Sequence, residues 1–323
     1  MTPYSRLLAV ATLMRCFWII VFFVLLTAQG QGAEIRAVNA SCFLVDKCPP
    51  PPDGIEDSIL IRGVIEKGDA QVFRSVVRQR KMLKTVMLRS PGGNVYEAMQ
   101  IGRDIRRLLL ETEGPRLDYY PAGDNTIDYG GGDYPLCVEN GIGDYKGSRY
   151  KGSQCVCASA CFLIYAAGAR RDLSYVGIHR GYLNETISRD MELGAAAEFY
   201  AKISEPMQDY LQEMGVPRRY ADIMLRTSSR DIYVPKYPEV MADFYGWVPE
   251  IEEWLIAKCN TVSEQKVQEM EWKAFADRKL TEFIEFRDKR ELCIQAALLA
   301  ERFKRQQGSA ELPQGFTLDA DAR

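Results

Sequence analysis

Between Ser58 and Leu110 the sequence changes twice from a short apolar strand pattern to an amphipathic helical one. The second change is made by the tetrapeptide Ser90-Pro91-Gly92-Gly93. Ser58 to Ile65 (SILIRGVI) alternates as a half-buried strand does, and Gly68 to Lys81 reads as a helix with Val72, Phe73, Val76 and Val77 on one face. Thr85 to Leu88 is a short buried strand, and Val95 to Leu110 is a second amphipathic helix. Strand, helix, strand, glycine turn, helix predicts an α/β fold with parallel pairing.

The same reading divides the rest of the chain. Residues 34–55 form an extended arm, because Pro49 to Pro52 exclude helix and favour polyproline II. Residues 56–250 form the α/β body. It is interrupted at 112–153 by a stretch rich in Gly, Tyr and Asp that reads as a surface insertion. Regularity returns with a small-residue helix at Ala158 to Gly168, a strand at Leu173 to His179, helices at Met191 to Gly215 and Pro217 to Thr227, and a strand at Ile232 to Val234. Residues 251–307 contain neither Gly nor Pro and read as helical, and 308–323 read as a disordered tail.

Residues 1–33 are a targeting segment. Arg6 and Arg15 flank an apolar run from Phe17 to Ala28, and Ala28 with Gly30, or Gly30 with Gly32 or Ala33, offer small residues before a cleavage site. Counted from Leu7, the stretch approaches the roughly 20 residues that span a bilayer, so a retained anchor tethering the protein to a membrane is the alternative to cleavage. Either way the body is expected in an oxidising compartment, periplasmic or secreted.

Eight cysteines remain outside this segment: Cys42, Cys48, Cys137, Cys155, Cys157, Cys161, Cys259 and Cys293. In an exported chain they favour disulfides, and the lone histidine and absent Cys/His spacings argue against a metal site. Short loops suit Cys42 with Cys48, and Cys137 with Cys155 or Cys157. Cys259 and Cys293 would stand about 50 Å apart on one straight helix, so a bond between them requires a helical hairpin. A net charge of -3 argues against nucleic-acid binding, and no P-loop or Rossmann fingerprint opens a helix after a strand. No cofactor is expected.

Three features carry chemistry. His179, the sole histidine, ends a strand just past Gly177, and imidazole is the usual base for serine nucleophiles. Ser159 in Cys157-Ala158-Ser159-Ala160-Cys161 stands at a helix start, where backbone N–H groups stabilise developing negative charge. Gly92-Gly93 lets backbone amides approach a substrate carbonyl. Singly, these are a structural histidine, a small residue at a helix contact and a tight turn.

Together they resemble the Clp protease proteolytic subunit. The order is S-P-G-G, then x-A-S-x-x-F-L-I-x-A-A-G-A, then a strand ending in I-H, over roughly residues 58–250. The resemblance implies a ClpP/crotonase-like superhelix of repeated β-β-α units, here with a C-terminal helical appendage. It implies Ser159 as nucleophile, His179 as base, and Gly93 (with Gly92) and Ala160 as oxyanion-hole donors. Asp231, in Arg230-Asp231-Ile232-Tyr233, matches the family's aspartate and would orient the imidazole; Pro238 to Val248 echoes its context. The expected activity is that of an ATP-independent serine peptidase on a peptide or protein substrate, with a homo-oligomer as one assembly. Departures are Ala160 where the family usually has Met, a shorter serine-to-histidine interval, the insertion and the helical tail. The alternative is an inactive envelope scaffold of the same fold. Crotonase-type acyl-CoA chemistry leaves the Ser-His-Asp order unexplained, and the histidine disfavours a Ser-Lys peptidase.

Overall fold

The computed structural model describes residues 32–38, 56–80, 82–115, 157–180, 192–228 and 231–308. Residues 1–31 of the targeting segment, 39–55 of the arm, 116–153 of the insertion, Arg230 and the tail from 309 lie outside them, as do Cys42, Cys48, Cys137 and Cys155. Among the described residues no helix is long and apolar enough to cross a membrane.

A central sheet is flanked by helices, a mixed α/β arrangement. Its strands are β1 (Glu34–Val38), β2 (Ser58–Arg62), β3 (Thr85–Arg89), β4 (Glu111–Glu113), β6 (Arg170–Arg171) and β8 (Gly246–Trp247), side by side in that order. β2, β3, β4 and β6 run parallel, and antiparallel strands close both edges. A separate pair, β5 (Cys157–Ala158) and β7 (Val176–Gly177), is also parallel.

Two expectations shift here. The start of the arm is a sheet edge: Glu34 pairs with Arg62 and Val38 with Ser58. β2 is buried over Ser58, Ile59, Leu60 and Ile61 rather than half-buried, because strands with helices or sheet on both faces read as continuous apolar runs. It ends at Arg62, since Gly63 turns the chain at φ 97° and sends Ile65 out of the sheet.

The helices follow from sequence in the same way. In α1 (Asp69–Gln79) Ala70, Phe73 and Val77 are buried, while Val72, expected on that face, is 45% exposed. Asp69 instead supplies the link to the sheet edge, its Oδ2 accepting from Ala33 N at 3.0 Å and Glu66 N at 2.8 Å. α2 (Val95–Arg107) is capped by Asn94, whose side chain accepts from the Tyr96 and Glu97 amides. α3 (Ala160–Ala166) is wholly buried. Across it lies α4 (Leu193–Glu213), whose Tyr210 hydroxyl donates to the Leu163 carbonyl at 2.7 Å. α5 (Arg218–Arg226) and α6 (Tyr237–Asp243) complete this side, their Tyr220 and the following Phe244 ring 4.6 Å apart.

Residues after 248 form three helices, α7 (Pro249–Cys259), α8 (Glu264–Ala276) and α9 (Leu280–Gly308). The hairpin that a Cys259–Cys293 bond requires is present, and so is the bond. α7 and α9 share a small core of Leu255, Ile294, Ala297 and Leu298 with Leu109 and Ala169. Arg302 fixes α9: its buried guanidinium donates to the carbonyls of Leu83, Leu108 and Leu109 at 2.7, 3.0 and 2.8 Å.

Candidate active site

Beside the main sheet runs a strip of very short pairings. Ile65 bridges Gly93, Ser90 bridges Cys157, β5 pairs with β7, and Ile178 bridges Tyr233. Every expected site residue lies within two positions of this strip. The segments are short because each carries a turn that leaves it: Gly92-Gly93, Ser159, and the chain after His179.

The turn at Ser159 is the sharpest. The chain passes from β5 directly into α3 through this one residue, with φ 56° and ψ -121°. A non-glycine residue there costs about 1–3 kcal/mol and persists only where its surroundings over-determine it. The surroundings do so. Ala158 N donates to Ser90 O at 3.1 Å, Ser159 N donates to Gly177 O at 2.9 Å, and Phe162 N donates back to Ser159 O at 3.0 Å. A disulfide joins Cys157 to Cys161, two residues on either side of the serine, with their Cα atoms 5.1 Å apart. Cys157 is thus not the partner of Cys137. Ser159 itself is buried.

The glycine loop presses on this turn. Gly92 and Gly93 have φ 106° and 139°, which favour glycine. A Cβ on Gly92 would lie 2.6 Å from the Ser159 Cβ, 2.7 Å from the Ala158 oxygen and 2.9 Å from the Ala160 nitrogen. A Cβ on Gly93 would collide with the Ile65 backbone. The Gly92 amide is occupied, donating to Ser90 Oγ at 3.0 Å, and its carbonyl accepts from Ile65 N at 2.8 Å. The amides of Gly93 and Ala160, in contrast, have no acceptor among the described residues. Among the described residues, two backbone N–H groups near the serine turn are therefore left without an acceptor.

His179 closes the strip. Ala158 is in register with Gly177, so the imidazole lies two residues past the strand position paired with the residue before the serine. The ring is 6% exposed, and its Nδ1 lies 2.9 Å from the Arg180 carbonyl. A carbonyl can only accept, so this contact assigns the proton to Nδ1 and leaves a lone pair on Nε2. Burial holds the imidazole below its ordinary pKa, against the opposing pull of the Arg180 hydrogen bond. Burial thus favours the neutral ring, the form a general base uses.

Asp231 is placed differently. The Ile178–Tyr233 bridge sets it opposite Arg180, but its side chain is exposed; its own amide donates to Ser228 O at 3.0 Å. Among the described residues no hydrogen bond joins Asp231 to His179, or Ser159 Oγ to His179. Arg180 is in turn held by its amide, which donates to Thr227 O at 3.1 Å. The structure thus brings Ser159, His179, Gly92, Gly93 and Ala160 to one strip and leaves the Asp231 carboxylate at its solvent side. Sequence reasoning missed the Arg180 carbonyl, which no side-chain pattern can reveal. It also missed the hydroxyl of Ser90, which was visible in the motif but not assigned a task.

No protein-family model matches the sequence, and no curated protein matches it. Among solved structures, the chain is similar to a point mutant of ClpP1 from Listeria monocytogenes. The two are 15% identical with a TM-score of 0.36, over 58% of this chain and 86% of that one.

Proposed function

We propose that this chain is an exported serine hydrolase, most simply a peptidase, with Ser159 as nucleophile and His179 as its base. The observation that carries the reading is the Ser159 turn. A strained, buried serine between a strand and a helix, with two free amides beside it and a neutral imidazole on the adjoining strand, is the arrangement acyl transfer needs.

The substrate carbonyl enters beside Ser159, and Nε2 of His179 removes the hydroxyl proton as Oγ attacks. The negative charge moves to the carbonyl oxygen, where Gly93 N–H and Ala160 N–H receive it; each such donor is worth about 3–4 kcal/mol in the transition state. Gly92 contributes space rather than a proton, since its own amide serves Ser90. The imidazolium returns the proton to the leaving group, and water repeats the cycle on the acyl-enzyme. Nδ1–H rests on the Arg180 carbonyl throughout. Asp231 acts on the charged imidazole from the exposed side, without a direct hydrogen bond.

The finer architecture that goes with this reading is a ClpP/crotonase-type superhelix, with residues 251–307 as an addition to it. Periplasmic or secreted placement, through a cleaved or retained N-terminal segment, accords with the two disulfides among the described residues. An unstructured protein is the substrate to try first. Casein should be degraded without ATP by the wild type and not by Ser159→Ala of equal thermal stability; equal turnover by the two would remove Ser159 from the mechanism.

A second reading, an inactive scaffold of the same fold, is favoured by one observation. Trp272, Phe275 and Leu292, all on α8 and α9, are 76%, 65% and 72% exposed, as residues that meet a partner can be.

A further inference from the structure

We propose that the Cys157–Cys161 disulfide is a redox clamp on the nucleophile, so that the hydrolase is competent only in its oxidised form. This rests on the serine-hydrolase reading above. The bond is placed symmetrically about Ser159, with one sulfur on the strand before the turn and the other in the first turn of α3. It closes the smallest covalent loop that contains both the strained residue and the Ala160 amide.

What the clamp opposes is relaxation of Ser159 from φ 56° toward an ordinary backbone conformation. Relaxation would need the strand and the helix start to move apart, and three other contacts bear on that movement. Ala158 is tied to Ser90, Ser159 to Gly177, and the Gly92 Cα leaves no room on the loop side. These fix β5 and the amide of Ser159. The start of α3 is held less directly, by Phe162 N donating to Ser159 O at 3.0 Å and by the close approach of Gly92 to the Ala160 nitrogen, while the Ala160 amide has no acceptor among the described residues. The disulfide adds a covalent link between β5 and that helix start. Without it the helix start can shift while β5 stays in place, and the Ala160 amide moves with it away from the serine turn.

The chemistry of release is a thiol–disulfide exchange. A dithiol delivers two electrons and two protons, becomes a disulfide itself, and leaves Cys157 and Cys161 as thiols. Both sulfurs belong to fully buried residues, so bulk monothiols should act slowly and a small dithiol during local opening faster. The device is thus insensitive to brief exposure to reductant and responsive to sustained loss of an oxidising environment.

The test uses the full mature chain with Cys259→Ala and Cys293→Ala, which removes the other described disulfide. Its rate of labelling by a fluorophosphonate probe at saturation is measured oxidised, after dithiothreitol, and after reoxidation, with Cys157→Ala/Cys161→Ala measured in parallel. The expected result is a rate at least tenfold lower in the reduced protein and in the double variant. The pH midpoint should be unchanged, and reoxidation should restore the rate. If the double variant does not fold, the reduced protein read under native tryptophan fluorescence decides alone. A reduced rate equal to or above the oxidised one overturns the clamp and leaves the hydrolase standing. Absence of labelling in the oxidised protein removes both.

Discussion

Gly92 and Ser159 are in such close contact that a single added carbon on residue 92 would stand 2.6 Å from the serine Cβ. The glycine loop and the serine turn are therefore one structural unit, although 66 residues of sequence lie between them. Substituting Gly92 by Ala meets both this contact and a φ of 106°. The strained backbone alone costs about 1–3 kcal/mol. We expect Gly92→Ala to lower probe labelling at least tenfold and the thermal midpoint with it. Ser90→Ala, which frees the Gly92 amide, should cost less, and labelling rates beside melting curves separate the two.

Burial lowers the His179 pKa below its ordinary value of 6.5. In the proposed mechanism the neutral form is the base, so activity should rise with pH along a limb whose midpoint lies below 6.5. Stability carries the same sign. The unfolded chain binds the proton first as pH falls through 6.5, so stability declines from there down to the folded-state pKa. A labelling-rate profile from pH 4 to 8, with urea midpoints at the same values, measures both. A limb centred above 6.5 would mean that another group titrates.

The exposed position of Asp231 sets its expected weight. A solvent-exposed ion pair is worth about 0–1 kcal/mol. Asp231→Asn should therefore slow labelling by less than tenfold, whereas His179→Ala should abolish it. A thousandfold loss in Asp231→Asn would show that the carboxylate displaces the Arg180 carbonyl at Nδ1 in the working enzyme.

Arg302 anchors α9 through three carbonyls at the end of the sheet. Its replacement by Met leaves those acceptors without their donor, at about 1–3 kcal/mol for each buried group left unsatisfied. We expect Arg302→Met to destabilise the chain by about 3 kcal/mol or more in urea denaturation. The Cys259–Cys293 bond closes a loop with a sequence separation of 34 residues, and its removal should cost about 3–4 kcal/mol on the chain-entropy scale. Neither change should alter the labelling rate of the folded protein.

Much of this was legible from periodicity and turn chemistry. β3 follows its apolar run, and α2 and α4 their helical patterns to within three residues at each end. The hairpin after residue 259 was legible only conditionally, since the spacing of Cys259 and Cys293 forbids a bond on a straight helix but does not say that the bond forms. β2 was misread as half-buried because its Arg62 supplies an apparent polar alternation that belongs to the strand's end. The segment at Ile232 to Val234 forms a single bridge rather than a strand, and β7 shrinks to two residues, because turns on either side leave no room to extend the pairing. In the site, the residue types were readable but their contacts were not. The motif order put Ser159, His179 and the glycine pair in one list. Whether Nδ1 meets a carboxylate or a backbone carbonyl depends on the register of Ile178 with Tyr233, which no local pattern fixes.

The most direct measurement is mass-spectrometric mapping of the fluorophosphonate adduct on the oxidised, folded protein, beside Ser159→Ala and His179→Ala. The account predicts a single adduct on the peptide carrying Ser159, absent from both variants. No adduct on a folded wild type, or an adduct on another serine that survives His179→Ala, would contradict it.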